Sequence, residues 1–363
     1  MRIGIETFTV HQRFPVTPSG GTTAQTTNIW VRVEEQGIEG WGEASPLSVL
    51  PASALPAPRT TSTAQTTEVL LEALEVVAPM LEAFCPWERQ KIERVLAEAE
   101  VPSAVWAAID MALHDWLGKY VGMPLWRLWG LNRRRIVPTF ATVAITTSEE
   151  AKQRVNDWMP LTGGGMLQVK LGSPEGIAAD CEMLLAIRDE APEAQLSVDA
   201  NGSWNLGDAI KMCEWLETQG VRYVEQPLAA GQEADLRKIY ERSPIPIFID
   251  ESCFTSYDIP KLADRVHGIN IKLMRSGGLT EAIRMVHTAR ACGLQVMFGC
   301  DRDSALANTA ASHLSPLADF LLLDSHLNLV DDPFTGATVQ NGRLIPNDLP
   351  GLGVECQIPS INS

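Results

Sequence analysis

The sequence has little positive charge, no disulfide-like cysteine pattern and no long apolar segment. Its 363 residues carry 29 Lys and Arg against 45 Asp and Glu, a formal net charge of -16, so its surface should repel nucleic acid. The seven cysteines are scattered without CxxC spacing, which favours a reduced compartment over a disulfide framework or a zinc ribbon. No apolar run approaches the roughly 20 residues of a membrane-spanning helix, and no signal-peptide pattern opens the chain. We therefore expect a cytoplasmic protein that associates with neither nucleic acid nor membrane.

A glycine-rich dinucleotide motif is also absent, since no GxGxxG opens a strand-to-helix turn. The hydrophobic pattern changes twice along the chain and so divides the sequence into three parts. Strand-like segments occupy residues 2–10, 28–34 and the QGIEGWGEASP stretch, and three segments with helical spacing follow between about 64 and 119. Beyond residue 135, amphipathic segments alternate with eight short apolar runs: TFATVAI, MLQVKLG, AQLSVDA, VRYVEQP, IPIFIDE, HGINIKL, LQVMFGC and ADFLLLD. This rhythm predicts a closed (β/α)8 barrel, with an open doubly wound sheet as the alternative.

Most of these apolar runs end in a polar residue. In a barrel the carboxyl ends of the strands meet at one mouth, which is where active sites lie. Charged side chains at the run ends are therefore candidates for chemistry: Lys170, Asp199, Glu225, Asp250, Lys272, the Asp301 and Asp303 pair, and Asp324.

Asp199, Glu225 and Asp250 follow three successive runs, about one strand-and-helix unit apart. Carboxylates brought together by a barrel repel one another unless a cation compensates them, and hard oxygen ligands favour Mg²⁺ over zinc. Each acid alone could equally cap the helix that follows its strand. Three in consecutive units make a metal site the better interpretation.

Lys170 and Lys272 end the second and sixth runs, with the acids between them. Burial tends to lower the pKa of a lysine and so makes it usable as a base near neutral pH, although each lysine could simply neutralise an acid. Beside a metal that acidifies the α-proton of a bound carboxylate, two opposed lysines suit proton removal and return. Return of the proton to the other face gives epimerisation, and loss of a leaving group gives elimination.

The motifs VKLG, DANGSW, VEQPL, DES and NIKLMRSGGLTEA, with GWGEASP before them and PGLGVE after them, resemble the enolase superfamily. The resemblance is to its muconate-lactonizing-enzyme subgroup and, within that, to dipeptide epimerases. It implies a modified TIM (β/α) barrel over 126–330, with an α+β capping domain formed by residues 1–125 and by the tail 331–363. It also implies a homo-oligomer and a 15–27 loop that closes over a small-molecule carboxylate substrate.

The same resemblance assigns roles to individual residues. Asp199, Glu225 and Asp250 would bind Mg²⁺, and Lys170 and Lys272 would be the acid/base pair. Asn201 and Glu251 would orient the ligands and bases.

Three departures from the family pattern concern substrate contacts. Gln168 stands where the family has the first lysine of a KxK motif, and at the eighth run only Asp324 remains of an ammonium-binding DxD, because Leu322 replaces the first acid. Asp301 and Asp303 occupy positions where an apolar residue and a glutamate are usual. We expect Gln168, Asp301, Asp303 and Asp324 to contact substrate. His326 is expected either to border the same pocket or to be a solvated or core-edge residue. The alternative for the Asp301 and Asp303 pair is pairing with Arg302 or with solvent.

These observations predict a Mg²⁺-dependent racemase or epimerase of a dipeptide or an N-substituted amino acid. The alternative is a lyase of the same superfamily that uses the same groups, such as a cycloisomerase, an o-succinylbenzoate-synthase-like enzyme or an amino-acid dehydratase. A binding protein without activity is a minor possibility, supported only by Gln168. Sugar-acid dehydration is disfavoured because Lys272 stands where those enzymes carry a histidine dyad.

Overall fold

The structure, a computed structural model, describes residues 1–16, 23–47, 65–163 and 165–357. It opens with a three-stranded antiparallel sheet, β1 (Arg2–Val16), β2 (Thr23–Glu35) and β3 (Ile38–Ala44). The first two strands run further than the sequence predicts, since Thr26 pairs with Val10 inside the expected 15–27 loop. β-Branched threonines favour such an extended, paired conformation. The prediction of a loop over all of 15–27 is therefore wrong at both ends, and residues 17–22 lie outside the described part.

Three helices follow, as the helical spacing predicts: α1 (Thr67–Leu81), α2 (Arg89–Glu98) and α3 (Ser103–Tyr120). Helix α3 is buried along most of its length because it packs directly on the sheet. Gly42 makes this approach possible, since a Cβ there would lie 1.9 Å from the carbonyl oxygen of Ala108. A short helix α4 (Leu125–Leu128) and a 3-10 turn (Arg133–Arg135) lead to the next layer.

All eight apolar runs form neighbouring parallel strands: β4 (Ala141–Val143), β5 (Met166–Lys170), β6 (Gln195–Asp199), β7 (Val224–Glu225), β8 (Ile247–Ile249), β9 (Gly268–Lys272), β10 (Gln295–Gly299) and β11 (Phe320–Leu322). A parallel bridge between Thr139 and Leu321 joins the first strand to the last, with Phe140 N donating to Leu321 O at 2.8 Å. The sheet is therefore a barrel, and the open doubly wound alternative is wrong.

Helices surround the barrel in the order expected of βα units: α5 (Ser148–Thr162), α6 (Ile177–Glu190), α7 (Leu206–Thr218), α8 (Glu233–Tyr240), α9 (Ile259–Leu262), α10 (Leu273–Ser276), α11 (Leu279–Ala291) and α12 (Ala305–Ser312). Inside the barrel, Phe140, Tyr223, Phe248 and Met297 form an apolar cluster separate from the main core. Because side chains alternate along a strand, Glu225 points inward two residues beyond Tyr223. The polar residues at the mouth of the barrel therefore lie directly above a packed apolar cluster in its interior.

After 3-10 turns at Ser315–Leu317 and Ser325–Asn328, the chain forms the short strands β12 (Phe334–Thr335), β13 (Thr338–Gln340), β14 (Arg343–Ile345) and β15 (Glu355–Cys356). This tail returns to α3, where Leu352 N donates to Asp115 Oδ1 at 2.7 Å. The predicted fold class, a barrel capped by the N-terminal region and the tail, is confirmed. The boundaries at 125 and 330 stay predictions. Within the described residues, no helix is both long enough and apolar enough to cross a membrane.

Candidate active site

A cavity of about 670 Å³ lies over the mouth of the barrel. Lys170 and Lys272 line it from opposite sides, at the ends of β5 and β9, and the three predicted metal ligands end the intervening strands. Phe14 and Thr26 close the cavity from the N-terminal sheet. The site is therefore built jointly by the barrel and the sheet that covers it.

The three acids lie beneath the cavity surface, with Asp199 and Glu225 0% exposed and Asp250 1% exposed. Both oxygens of Glu225 accept hydrogen bonds from side-chain amides, one from Gln168 Nε2 and one from Asn270 Nδ2, each at 2.7 Å. Burial, reinforced by the charges of Asp199 and Asp250, raises the pKa of Glu225 to about 8. The close approach of the three acids therefore disfavours ionisation of Glu225 near neutral pH.

Asn201 connects two of the acidic groups. Its backbone N donates to Asp199 Oδ1 at 2.8 Å, and its Nδ2 reaches Asp199 Oδ2 at 3.1 Å and Glu251 Oε1 at 3.2 Å. The residue adopts a left-handed conformation with φ 43°, which asparagine tolerates better than most side chains. Burial and the charge of Asp250 raise the pKa of Glu251 to about 7. Asn201 and Glu251 therefore sit where they can orient Asp199.

Each lysine contacts an acid at the end of a strand. Lys170 Nζ donates to Asp199 Oδ2, while Lys272 Nζ lies 2.9 Å from Asp250 Oδ2 and 3.4 Å from Asp301 Oδ1. Burial alone would lower both lysine pKa values, but the neighbouring carboxylates outweigh it and hold both above the ordinary value. Burial therefore does not lower the pKa of either lysine as the sequence predicts, because the acids compensate the buried ammonium groups.

Sequence reasoning missed Arg275. Its guanidinium contacts Asp250 Oδ1 at 2.9 Å through Nη1 and donates to both oxygens of Asp301, at 2.9 Å and 3.2 Å. The residue stands three positions after Lys272, within the NIKLMRSGG motif that carries the family resemblance. Asn270 was also missed, although its place two residues before Lys272 on a strand indicated the same inward face.

The four predicted substrate contacts differ in their positions. Asp303 and Asp324 border the cavity, and Asp324 accepts a hydrogen bond from Thr142 N at 2.7 Å. Asp301 also borders the cavity but pairs with Arg275 and Lys272 rather than with Arg302. Gln168 is 0% exposed and lies below the cavity.

Asp303 accepts hydrogen bonds from Ser45 Oγ at 2.5 Å and from Asp301 N at 3.2 Å. Burial and the charge of Asp301 raise the pKa of Asp303 to about 6. His326, expected at the pocket border, does not line the cavity, and burial lowers its pKa to about 4.

The chemistry of the three acids suits a hard divalent cation. Among the residues the structure describes, no three His, Cys, Asp or Glu side chains are grouped closely enough to hold an ion as they stand. Asp199 contacts Lys170, Asp250 contacts Arg275, and Glu225 contacts the amide of Gln168. Both Asp250 oxygens are nevertheless buried and lie 2.9 Å from Lys272 Nζ and Arg275 Nη1, with no hydrogen-bond partner among the residues that the structure describes. Oxygen donors left in this state fit Mg²⁺, which binds through carboxylates and water.

Two known protein-family models match most of the chain. Residues 2–130 match the N-terminal domain of mandelate racemase and muconate lactonizing enzymes, and residues 149–360 match the enolase C-terminal domain-like family. The chain belongs to the mandelate racemase/muconate lactonizing enzyme family. The resemblance to the enolase superfamily is thereby confirmed.

Several relatives of this chain are epimerases. A hydrophobic dipeptide epimerase of Flavobacteria bacterium (strain MS024-2A) is 38% identical, with 97% of each chain covered. One of Roseobacter litoralis is 39% identical over 97% of this chain and 98% of its own. Among solved structures, the dipeptide epimerase of Enterococcus faecalis V583, complexed with Mg and L-Leu-L-Tyr, is 27% identical with a TM-score of 0.87, covering 97% of this chain and 98% of that one. The prediction of an enzyme of the isomerase class is confirmed.

Proposed function

We propose that this enzyme is a Mg²⁺-dependent dipeptide epimerase in which Lys170 and Lys272 remove and return the α-proton. The observation that carries the proposal is the order of groups around the mouth. The lysines end β5 and β9, and the buried acids Asp199, Glu225 and Asp250 end the strands between them. A substrate carboxylate directed toward the acids would have its α-carbon between two lysines that approach it from opposite faces.

Asp199, Glu225 and Asp250 would hold the metal. Bound there, Mg²⁺ would offset the buried negative charge, lower the lysine pKa values and stabilise the charge that develops on the substrate carboxylate. One lysine, deprotonated, takes the α-proton, and the other, protonated, supplies a proton to the opposite face. Asn201 keeps Asp199 and Glu251 in place while this happens.

A dipeptide substrate is supported by the similarity to dipeptide epimerases and by the acids in the remaining cavity wall. Asp324 and Asp303 both line the cavity, and we infer that the Asp324 carboxylate, which accepts from Thr142 N, also receives a substrate ammonium group. Asp301 serves a different purpose in this proposal, because it already balances Lys272 and Arg275. The single acid at the end of β11 therefore suffices for a substrate with one free amino group.

The test is incubation with Mg²⁺ and L-Leu-L-Tyr in deuterated buffer. We expect deuterium to appear at the α-carbon of the tyrosine residue together with the second stereoisomer, without any eliminated product. Lys211→Ala, which removes a lysine that is 72% exposed, is the matched control for lysine substitutions and should behave as the wild type. Formation of an unsaturated product, or no exchange with any of a panel of dipeptides, would contradict the proposal.

A further inference from the structure

The cavity extends away from the acids toward β10, β11, β4 and the N-terminal sheet. Because the lysines and acids occupy the β5 to β9 side, this opposite region offers room for the part of a dipeptide that is not epimerised. Apolar side chains form much of its wall, among them Phe14, Ile145, Trp158 and Leu329. Phe14 differs from the other three because it lies on β1, which belongs to the N-terminal sheet and not to the barrel. Its place in the cavity wall therefore depends on how that strand is attached to the barrel.

Asn328 attaches that strand to the barrel. The asparagine lies in the 3-10 turn after β11 and is 8% exposed. Its Oδ1 accepts from Phe14 N at 2.8 Å and its Nδ2 donates to Phe14 O at 2.8 Å, so one side chain satisfies both backbone groups of Phe14 as a neighbouring strand would. A bridge between Gln12 and Leu329 extends the contact.

The Phe14 ring is held from the side as well. The guanidinium carbon of Arg154 lies 3.8 Å from the ring centroid, and Trp158 packs edge-on with the ring centroids 5.7 Å apart. Trp158 is itself fixed by a hydrogen bond from Nε1 to Thr142 O at 2.8 Å, and Arg154 by an ion pair with Asp157 at 3.3 Å. The ring therefore presents a defined apolar surface to the cavity.

We propose that Asn328 is a positioning residue that sets substrate preference by holding Phe14 as the wall of the subsite for the N-terminal side chain of the dipeptide. This inference rests on the proposed function and adds the selectivity for a large apolar N-terminal residue. The charge of Arg154, fixed at the rim of the same wall, disfavours a cationic side chain there.

The experiment compares L-Leu-L-Tyr with L-Ala-L-Tyr, which share the epimerised residue, in wild type, Asn328→Ala and Asn347→Ala. Asn347 is the matched control, because it also bonds two backbone groups, Leu349 N at 3.1 Å and Gly353 O at 2.7 Å, but does not line the cavity. Loss of a well-formed apolar contact costs about tenfold in selectivity. We expect Asn328→Ala to raise KM for L-Leu-L-Tyr and to affect kcat less. The ratio of kcat/KM for L-Leu-L-Tyr to that for L-Ala-L-Tyr should fall about tenfold in this variant. Asn347→Ala should keep the wild-type value of this ratio.

Phe14→Leu keeps the Asn328 clamp while changing the wall, and it should also lower the preference for the leucyl dipeptide. Equal losses with both dipeptides in Asn328→Ala, or an unchanged preference in both Asn328→Ala and Phe14→Leu, would overturn the assignment while leaving the epimerase proposal intact. A wild-type protein that exchanges no dipeptide α-proton would instead overturn the proposed function, and this subsite with it.

Discussion

Lys272 Nζ lies 2.9 Å from Asp250 Oδ2, so a proposed base and a proposed metal ligand form a buried ion pair. Arg275 contacts the other oxygen of the same carboxylate, also at 2.9 Å. Two cations therefore hold Asp250 in position before any metal binds. Since an unpaired charge is costly in a buried site, the arrangement has measurable consequences for stability and for catalysis.

Arg275→Met should destabilise the protein by about 3–5 kcal/mol, because it removes one partner of a buried network and leaves Asp250 and Asp301 undercompensated. Chemical denaturation measures the change. Arg237→Met is the control, since Arg237 is 59% exposed and a surface ion pair such as the one with Glu241 contributes little to stability. Equal effects of the two substitutions would contradict the buried-network interpretation.

Lys170→Ala and Lys272→Ala should each lower epimerisation by about 10²–10⁴-fold, the usual contribution of a positioned acid or base. Because the two lysines face the α-carbon from opposite sides, the remaining lysine should still exchange the α-proton of one stereoisomer. We expect the two variants to show opposite preferences when exchange is measured separately on the L,L- and L,D-dipeptides. The same preference in both variants would refute a two-sided mechanism.

Mg²⁺ should raise the melting temperature, and chelation should abolish activity. A ligand that binds only the folded state adds about 2.7 kcal/mol at 100 times its Kd. Asp250→Asn should remove the thermal shift, whereas Asp324→Asn, at the end of a different strand, should retain it. A shift that survives Asp250→Asn would place the metal elsewhere.

Glu43→Gln should weaken the junction between the N-terminal sheet and the barrel. Glu43 accepts hydrogen bonds from Asn28 Nδ2 at 2.6 Å, Ser304 N at 3.0 Å and Ala307 N at 3.1 Å, so its side-chain oxygens bind the free backbone N–H groups at the amino end of α12. We expect a loss of about 1–3 kcal/mol in the free energy of unfolding. The exposed Glu75→Gln, in the same N-terminal region, should leave stability unchanged, and equal losses would argue against the junction.

Stability should fall at acid pH in part through His313. Burial lowers its pKa to about 4, while Trp126 N donates to Nδ1 at 3.1 Å and Nε2 lies 2.9 Å from Leu352 O. In the unfolded state the pKa of this histidine is about 6.5, so between about pH 4 and 6.5 the unfolded state binds more protons than the folded state. The stability that the neutral His313 contributes is therefore complete above about pH 6.5 and is lost as the pH falls toward about 4.

The size of this effect is on the order of 3 kcal/mol. His313→Gln should flatten the pH dependence of the free energy of unfolding over that interval. His287→Gln, at an exposed position, should not. An unchanged slope in His313→Gln would show that other groups control acid stability.

Much of the fold was predictable from the sequence because its signals are local. Each of the eight apolar runs became a barrel strand, and each of the three helical segments became a helix. The length of the first hairpin was not predictable in the same way. Thr26 and its neighbours look like loop residues by composition, and they are strand because Val10 and its neighbours lie opposite them.

The candidate site was likewise predictable in part. By itself the sequence determined which polar residues end the strands, because the hydrophobic pattern shows where each strand stops and which of its side chains share a face. Only the tertiary structure decided that Asp301 pairs with Arg275 rather than Arg302, and that Asn328 holds Phe14 across 314 positions of chain. The physical reason is that a buried charge or backbone group takes the partner that closure of the barrel and its cap brings within reach, and no periodicity in the sequence records that choice.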